Sequence, residues 1–473
     1  MTTTALSTAA GRADHPHPDR MRVLWIACGA HALHDGLTDT LYLLLPLWQA
    51  QFALSYAAVG LLRALYAGAM AGFQVPAAKL AQRTGGAKML AGGTAVAAVA
   101  YFLLGASSSV ALLAVALVLG GIGSSTQHPI ASSLVAAAYE GPRSRGALGT
   151  YNFAGDLGKM ALPSITACLI AVMSWRWTGT TVGVIGLLGA GAILLSLRAA
   201  PSALAVHTPI RPGQGKAPDR TKLLRSGFPL LLTIGVIDSA TRMGFLTFLP
   251  FLLQSKGAGL PEIGMALTLV FAGGAAGKLV CGFLGARLGV LPTVLITEGA
   301  TAAGILLLLS LPIGAALALL PMIGVALNGT SSVLYGTVPD LVPADRRESA
   351  FGIFYTGTIG AGALAPVLYG LFSDAIGLTP AMLLVAAVVL LTLPLTWQLT
   401  RVLASGPGSQ TAKKINSTTG SHRQTPLSLS RKRNCNEHSA TGDQRRYLRL
   451  RGRPRRGDHH DLRASRASWA RVI

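Results

Sequence analysis

From residue 22 to residue 400 the chain is a succession of apolar stretches, each at least 20 residues long, parted by short polar breaks. About 20 apolar residues in a helix, rising ~1.5 Å each, cross the ~30 Å hydrocarbon layer of a bilayer. Lipid offers the backbone no hydrogen bonds, so spanning segments must be helices or a closed barrel. Twelve stretches are read, at 22–49, 56–81, 87–106, 109–136, 146–173, 178–198, 226–254, 261–285, 290–310, 312–338, 348–373 and 378–400. Only 12 % of the 473 residues are charged, against ~25 % in a soluble domain. The expected fold class is therefore an all-α polytopic membrane protein with twelve transmembrane helices. The first stretch is too long for a cleaved signal peptide, and its flank is wrong for one.

A polar segment rich in proline and basic residues, 199–225, divides the stretches into two sets of six. The expected organisation is a short cytoplasmic segment (1–21), a six-helix bundle (22–198), a cytoplasmic linker (199–225), a second bundle (226–401) and a basic tail (402–473). The halves repeat. At an offset of 204, Leu80, Arg83 and Gly85 match Leu284, Arg287 and Gly289, and Gly60 matches Gly264. At 203, Arg143, Gly149 and Pro163 match Arg346, Gly352 and Pro366, and Asp35 matches Asp238. Two parallel repeats of six helices around a long central loop is a transporter plan.

Of the net charge of +22, the tail supplies +12 (16 basic less 4 acidic residues) and the rest +10 (24 less 14). The tail lacks apolar periodicity and reads as disordered. It could suit nucleic acid or anionic lipid, but the preferred reading gives it no role, as the end of a shifted or read-through frame, and no nucleic-acid partner is expected. Basic residues cluster in the loops that are cytoplasmic if both termini are, and only Arg176 and Lys256 fall outside. The four cysteines are scattered and no His/Cys cluster has ligand spacing, so neither disulfides, metal nor cofactor is expected. Enzyme motifs such as GxSxG, HExxH or a phosphate-cradling GxxxxGK[ST] are missing.

Charges inside the spans mark the candidate site, because they cost too much to face lipid. HALHDGLTD (31–39) places His31, Asp35 and Asp39 four residues apart on one helical face, with His34 beside them. Gln127 and His128 precede Pro129, which should kink the fourth span. The fifth carries Asn152, Asp156 and Lys159, and the seventh Asp238 and Arg242; each acid can pair with its own helix's cation. Arg63, Lys278 and Glu298 lie in other spans, with Arg63 placed to pair with Asp39 or to clamp an anion. Five intramembrane acids face four bases. The surplus carboxylate can carry a proton, and Asp35 leads the proton-coupling set of Asp35, Asp39, Asp156, His34 and His31. Arg63, Gln127, His128, Asn152, Lys159, Asp238 and Arg242 form the expected substrate-binding set. The competing reading of each cluster is a polar network that locks helix packing.

KLAQRTG (79–85) and GARLG (285–289) resemble the signature loop of the major facilitator superfamily, although Gln82 and Ala286 stand where that family has Asp. The resemblance implies two pseudo-symmetric six-helix bundles and a gating role for the loop residues Arg83, Gly85, Arg287 and Gly289. HALHDGLTDTLYLLLPL, GIGSSTQHP and FAGDLGKMALP further resemble the fosmidomycin-resistance-type drug exporters. That implies a monomer in the bacterial inner membrane, taking protons and a small, drug-like anionic substrate as partners. The expected function is proton-coupled efflux by alternating access. A proton-coupled importer or facilitator of a metabolite anion is the alternative, and a non-transporting scaffold or sensor a third class.

Overall fold

The structure is a computed structural model that describes residues 18–139, 142–198, 227–342 and 347–405. It is all-helical. The helices are α1 (Pro18–Phe52), α2 (Tyr56–Thr84), α3 (Gly86–Ala106), α4 (Val110–Ala138), α5 (Pro142–Val172) and α6 (Trp175–Arg198), followed by α7 (Phe228–Ser255), α8 (Leu260–Leu288), α9 (Val290–Ser310), α10 (Ile313–Leu341), α11 (Arg347–Ile376) and α12, which begins at Leu378 and ends at Ser405. Eleven are long and apolar enough to cross a membrane; α1 is the exception, because its polar stripe lowers its hydropathy. Bulky apolar side chains such as Leu279, Met322 and Val172 are exposed on the outside of the bundle, as lipid requires. The 199–225 linker and residues 406–473 of the expected tail lie outside the described residues, and α12 continues beyond the expected boundary at 401.

The expected kink in α4 is present. The helix breaks at Ser125 and Thr126 and restarts at Gln127, so Pro129 sits in a first turn where no N–H is needed. The same device recurs in α12, which breaks at Leu391 just before Pro394.

The repeat is built into the packing between the halves. Gly60 of α2 lies so close to Pro366 of α11 that a Cβ would overlap the proline carbonyl. Its repeat mate Gly264 of α8 packs against Ala167 of α5, one turn beyond Pro163. Each half thus sets a small residue against the proline-bearing helix of the other. Gly85 and Gly289, also repeat mates, end α2 and α8 with φ of 93° and 84°, a conformation that favours glycine.

We call the end of the bundle carrying the linker the linker face, and the opposite end the far face. One buried apolar cluster near the far face draws residues from both halves, including Leu41, Trp48, Phe248 and Leu267. Toward the linker face each half has its own cluster, one around Leu90, Ile130 and Tyr151 and the other around Phe228, Leu334 and Phe354. The halves are therefore sealed together at the far face. There the Asp374 carboxylate of α11 accepts the first N–H groups of α2, from Tyr56 at 2.7 Å and Ala57 at 2.9 Å. The two far-face cations cap helix ends: Lys256 donates to the carbonyls of Leu309 and Leu311, and Arg176 to that of Ser107.

Candidate functional site

Helices α1, α4, α5 and α8 converge at mid-depth because their glycines allow it. Gly36 and Gly158 bring α1 against α5, and Gly155 leaves room beside His31 and Asp35. The polar stripe of α1 therefore faces protein. Asp35 Oδ2 lies 3.3 Å from Lys159 Nζ and 3.2 Å from His31 Nε2, and Oδ1 lies 3.8 Å from His128 Nε2. Lys159 also approaches Asp156 at 3.9 Å. Lys278 of α8 donates to both Asp156 oxygens at 2.7 Å. Charges thus alternate from Asp35 through Lys159 and Asp156 to Lys278, across the boundary between the halves, with the His31 imidazole against Asp35 at one end.

His31 is held on both sides. Its Nδ1 donates to the Tyr151 carbonyl at 2.8 Å and its ring stacks on the Tyr151 ring. His34 turns away, donating through Nε2 to the Thr94 hydroxyl of α3 at 2.8 Å, which in turn donates to the Leu90 carbonyl. Of the two histidines grouped with the proton-coupling acids, only His31 touches one.

One expected role and two expected pairings differ in the structure. Asp35 is the most heavily partnered acid rather than the surplus one, because the fold brings Lys159 and two imidazoles to it. Asp39 has no ion pair within 4 Å among the described residues, and Arg63 does not pair with it. Arg63 instead donates through Nη2 to Tyr42 Oη at 3.1 Å and lies over the Tyr42 and Tyr66 rings. Its Nε and Nη1 are buried without a hydrogen-bond partner. Asp238 and Arg242 form no ion pair within 4 Å. Arg242 reaches the Ser331 hydroxyl at 3.5 Å, and Asp238 meets Glu298 of α9.

Gln127 is buried beside Tyr151, whereas His128 and Asn152 are exposed. Arg83 and Arg287 are exposed at the linker-face ends of α2 and α8. The fold also assembles a set of metal-type ligands that spacing along the chain does not show: donor atoms of His31, Asp35 and His128 lie within 4.8 Å of one another. The Lys159 ammonium already balances the Asp35 carboxylate, which opposes a divalent cation there. Tyr42 and Tyr66 were not among the expected site residues. Tyr42 lies one turn beyond Asp39, on the face of the polar stripe, and that spacing is the signal that points to it.

A twelve-helix bundle of two repeated halves, with ion pairs bridging them at mid-depth, defines the class of secondary transporters. The model of the Major Facilitator Superfamily matches residues 27–237 and 231–450, and the chain belongs to that family. It is a multi-pass membrane protein. A gentisate transporter of Corynebacterium glutamicum is 33 % identical over 133 residues, which cover 27 % of this chain and 29 % of that protein. Two crystal structures of a bacterial homologue of the human lysosomal transporter Spinster, both inward-facing, share the fold at 17 % identity. The unoccupied form gives a TM-score of 0.68, covering 83 % of this chain and 100 % of that one. The occupied form gives 0.65, covering 82 % and 98 %.

Proposed function

We propose that the protein is a proton-coupled transporter of a small organic anion. The observation that carries this is the asymmetry of exposure within the ion-pair chain. The Lys159 and Lys278 side chains are 29 % and 39 % exposed, while their partners Asp35 and Asp156 are only 10 % and 8 % exposed. The reachable face of the network is cationic and its anions lie behind it. Arg63, with two unpartnered nitrogens, adds donors suited to a carboxylate or phosphonate.

Proton coupling follows from competition. A proton on Asp35, Asp39 or Asp156 removes a negative charge near Lys159 and frees that ammonium for a bound anion. His31 and His128 stand against Asp35 as relays. With proton and anion bound together, the natural cycle is symport. If the linker face is cytoplasmic, as the basic loops imply, the seal at the far face makes this conformation inward-facing, and an inward proton gradient drives uptake. The relative named for gentisate, itself an organic anion, supports this cargo class.

Drug export is the second reading. It is favoured by the resemblance of the α1, α4 and α5 strings to fosmidomycin-resistance-type exporters, and it requires proton and anion to bind in turn. Proteoliposomes with an imposed pH gradient and gentisate as probe separate the two. Accumulation on the alkaline side supports symport, and accumulation on the acidic side supports exchange. Flux indifferent to the gradient would refute coupling.

A further inference from the structure

Intramembrane charge is not shared evenly between the sites. Around the bridging network, three acids (Asp35, Asp39 and Asp156) face three fixed cations (Arg63, Lys159 and Lys278). Inside the second half, two acids, Asp238 and Glu298, face one fixed cation among the described residues, Arg242. The surplus acid that the sequence requires is therefore here, on α7 and α9.

Asp238 and Glu298 are buried, 4 % and 1 % exposed, and their carboxyl groups are within hydrogen-bonding reach of each other. Two bare carboxylates offer only acceptors, so a hydrogen bond between them needs a hydrogen on one. Two like charges in contact in a low dielectric do not both ionise. No donor reaches Glu298 Oε1, which leaves that atom free to carry the hydrogen itself. Thr330 stands beside Glu298 and donates to the Thr297 hydroxyl at 2.7 Å. The other titratable or charged groups facing the pair are Arg242 on α7, Tyr335 on α10 with Tyr355 of α11 stacked on it, and Tyr42 of α1 near Arg242.

We propose that Asp238 and Glu298 form a second proton-binding site, separate from the bridging network, that holds one hydrogen between two carboxyls in this conformation. Release breaks the O–H bond on Glu298 and passes the proton to water. Closer approach of Arg242 then supplies the balancing charge. The site's part in coupling rests on the transporter reading above; its protonation does not.

The test is infrared difference spectroscopy of the full chain in lipid nanodiscs between mildly acidic and alkaline buffer. The expected result is a protonated-carboxyl C=O band that disappears in both Glu298→Gln and Asp238→Asn and persists in Asp39→Asn. A wild-type spectrum without such a band overturns the proposal whatever the variants do. A spectrum in which neither substitution removes a band also overturns it, as does a Glu298-dependent band abolished by sodium ions at constant pH, which would mark a metal-cation site. A band that behaves as expected in a protein that moves no organic anion would leave this site standing and remove the transport reading instead.

Discussion

At the scale of single residues, exposure decides which member of an ion pair is offered to a ligand. On the organic-anion reading, Lys159→Met and Lys278→Met are each expected to lower counterflow of the anion probe at least ~10-fold, about the loss of one charge-assisted hydrogen bond. Unaltered flux in both would remove the ammonium groups from the site. Asp156→Ala strips its partner from Lys278. A fully buried pair broken this way costs ~3–5 kcal/mol, but Lys278 is more than a third exposed, and screening lowers the expected loss to ~1–2 kcal/mol in thermal unfolding. Arg63→Lys keeps the charge but loses the planar stack between Tyr42 and Tyr66, so weaker anion binding at undiminished expression is expected.

At the scale of elements, the far face is closed by helix ends and small residues. Asp374→Ala removes the cap on the first N–H groups of α2, worth ~1 kcal/mol, or about fivefold in the balance between conformations. The expected shift is toward an open far face. It is read as faster labelling of a cysteine introduced by Leu267→Cys, a buried position in the cluster shared by both halves. Gly60→Ala should act in the same direction and more strongly, because its Cβ meets backbone at Pro366 that cannot rotate away. Equal labelling rates in all three backgrounds would show that these contacts do not hold the far face shut. Gly85→Ala and Gly289→Ala strain helix ends rather than the seal, and ~1 kcal/mol of lost stability is expected for each.

At the scale of the whole molecule, the described helices of the two halves belong to one contact unit. A chain ended after Ser405, the last described residue, is therefore expected to be inserted and to move the organic-anion probe as fast as the full chain does, measured side by side in proteoliposomes. Loss of transport on that truncation would give the remaining residues a function. The bundle's asymmetry, with one cluster joining the halves at the far face and separate clusters toward the linker face, is a single state of an alternating cycle.

Helix number, length and repeat were legible in the chain because lipid imposes them locally: a span must be apolar, about 20 residues long and closed in its own hydrogen bonds. The kink before Pro129 and the matched glycines at 85 and 289 were legible for the same reason, since backbone constraints belong to single residues. Which charged side chains lie inside the spans was legible too, because any charge in a span stands out, whereas the uncharged Tyr42 and Tyr66 beside Arg63 did not. The pairing of the charges was not legible. Helical spacing set Asp156 with Lys159 and Asp238 with Arg242, yet Lys278 and Glu298, each more than 50 residues away in the chain, are the closer partners. Spacing along a helix tells which side chains share a face, whereas the tertiary packing of small residues at Gly36, Gly155 and Gly158 decides which face meets which. Tertiary structure likewise set Asp238 beside Glu298, a carboxyl 60 residues away that no helical spacing points to.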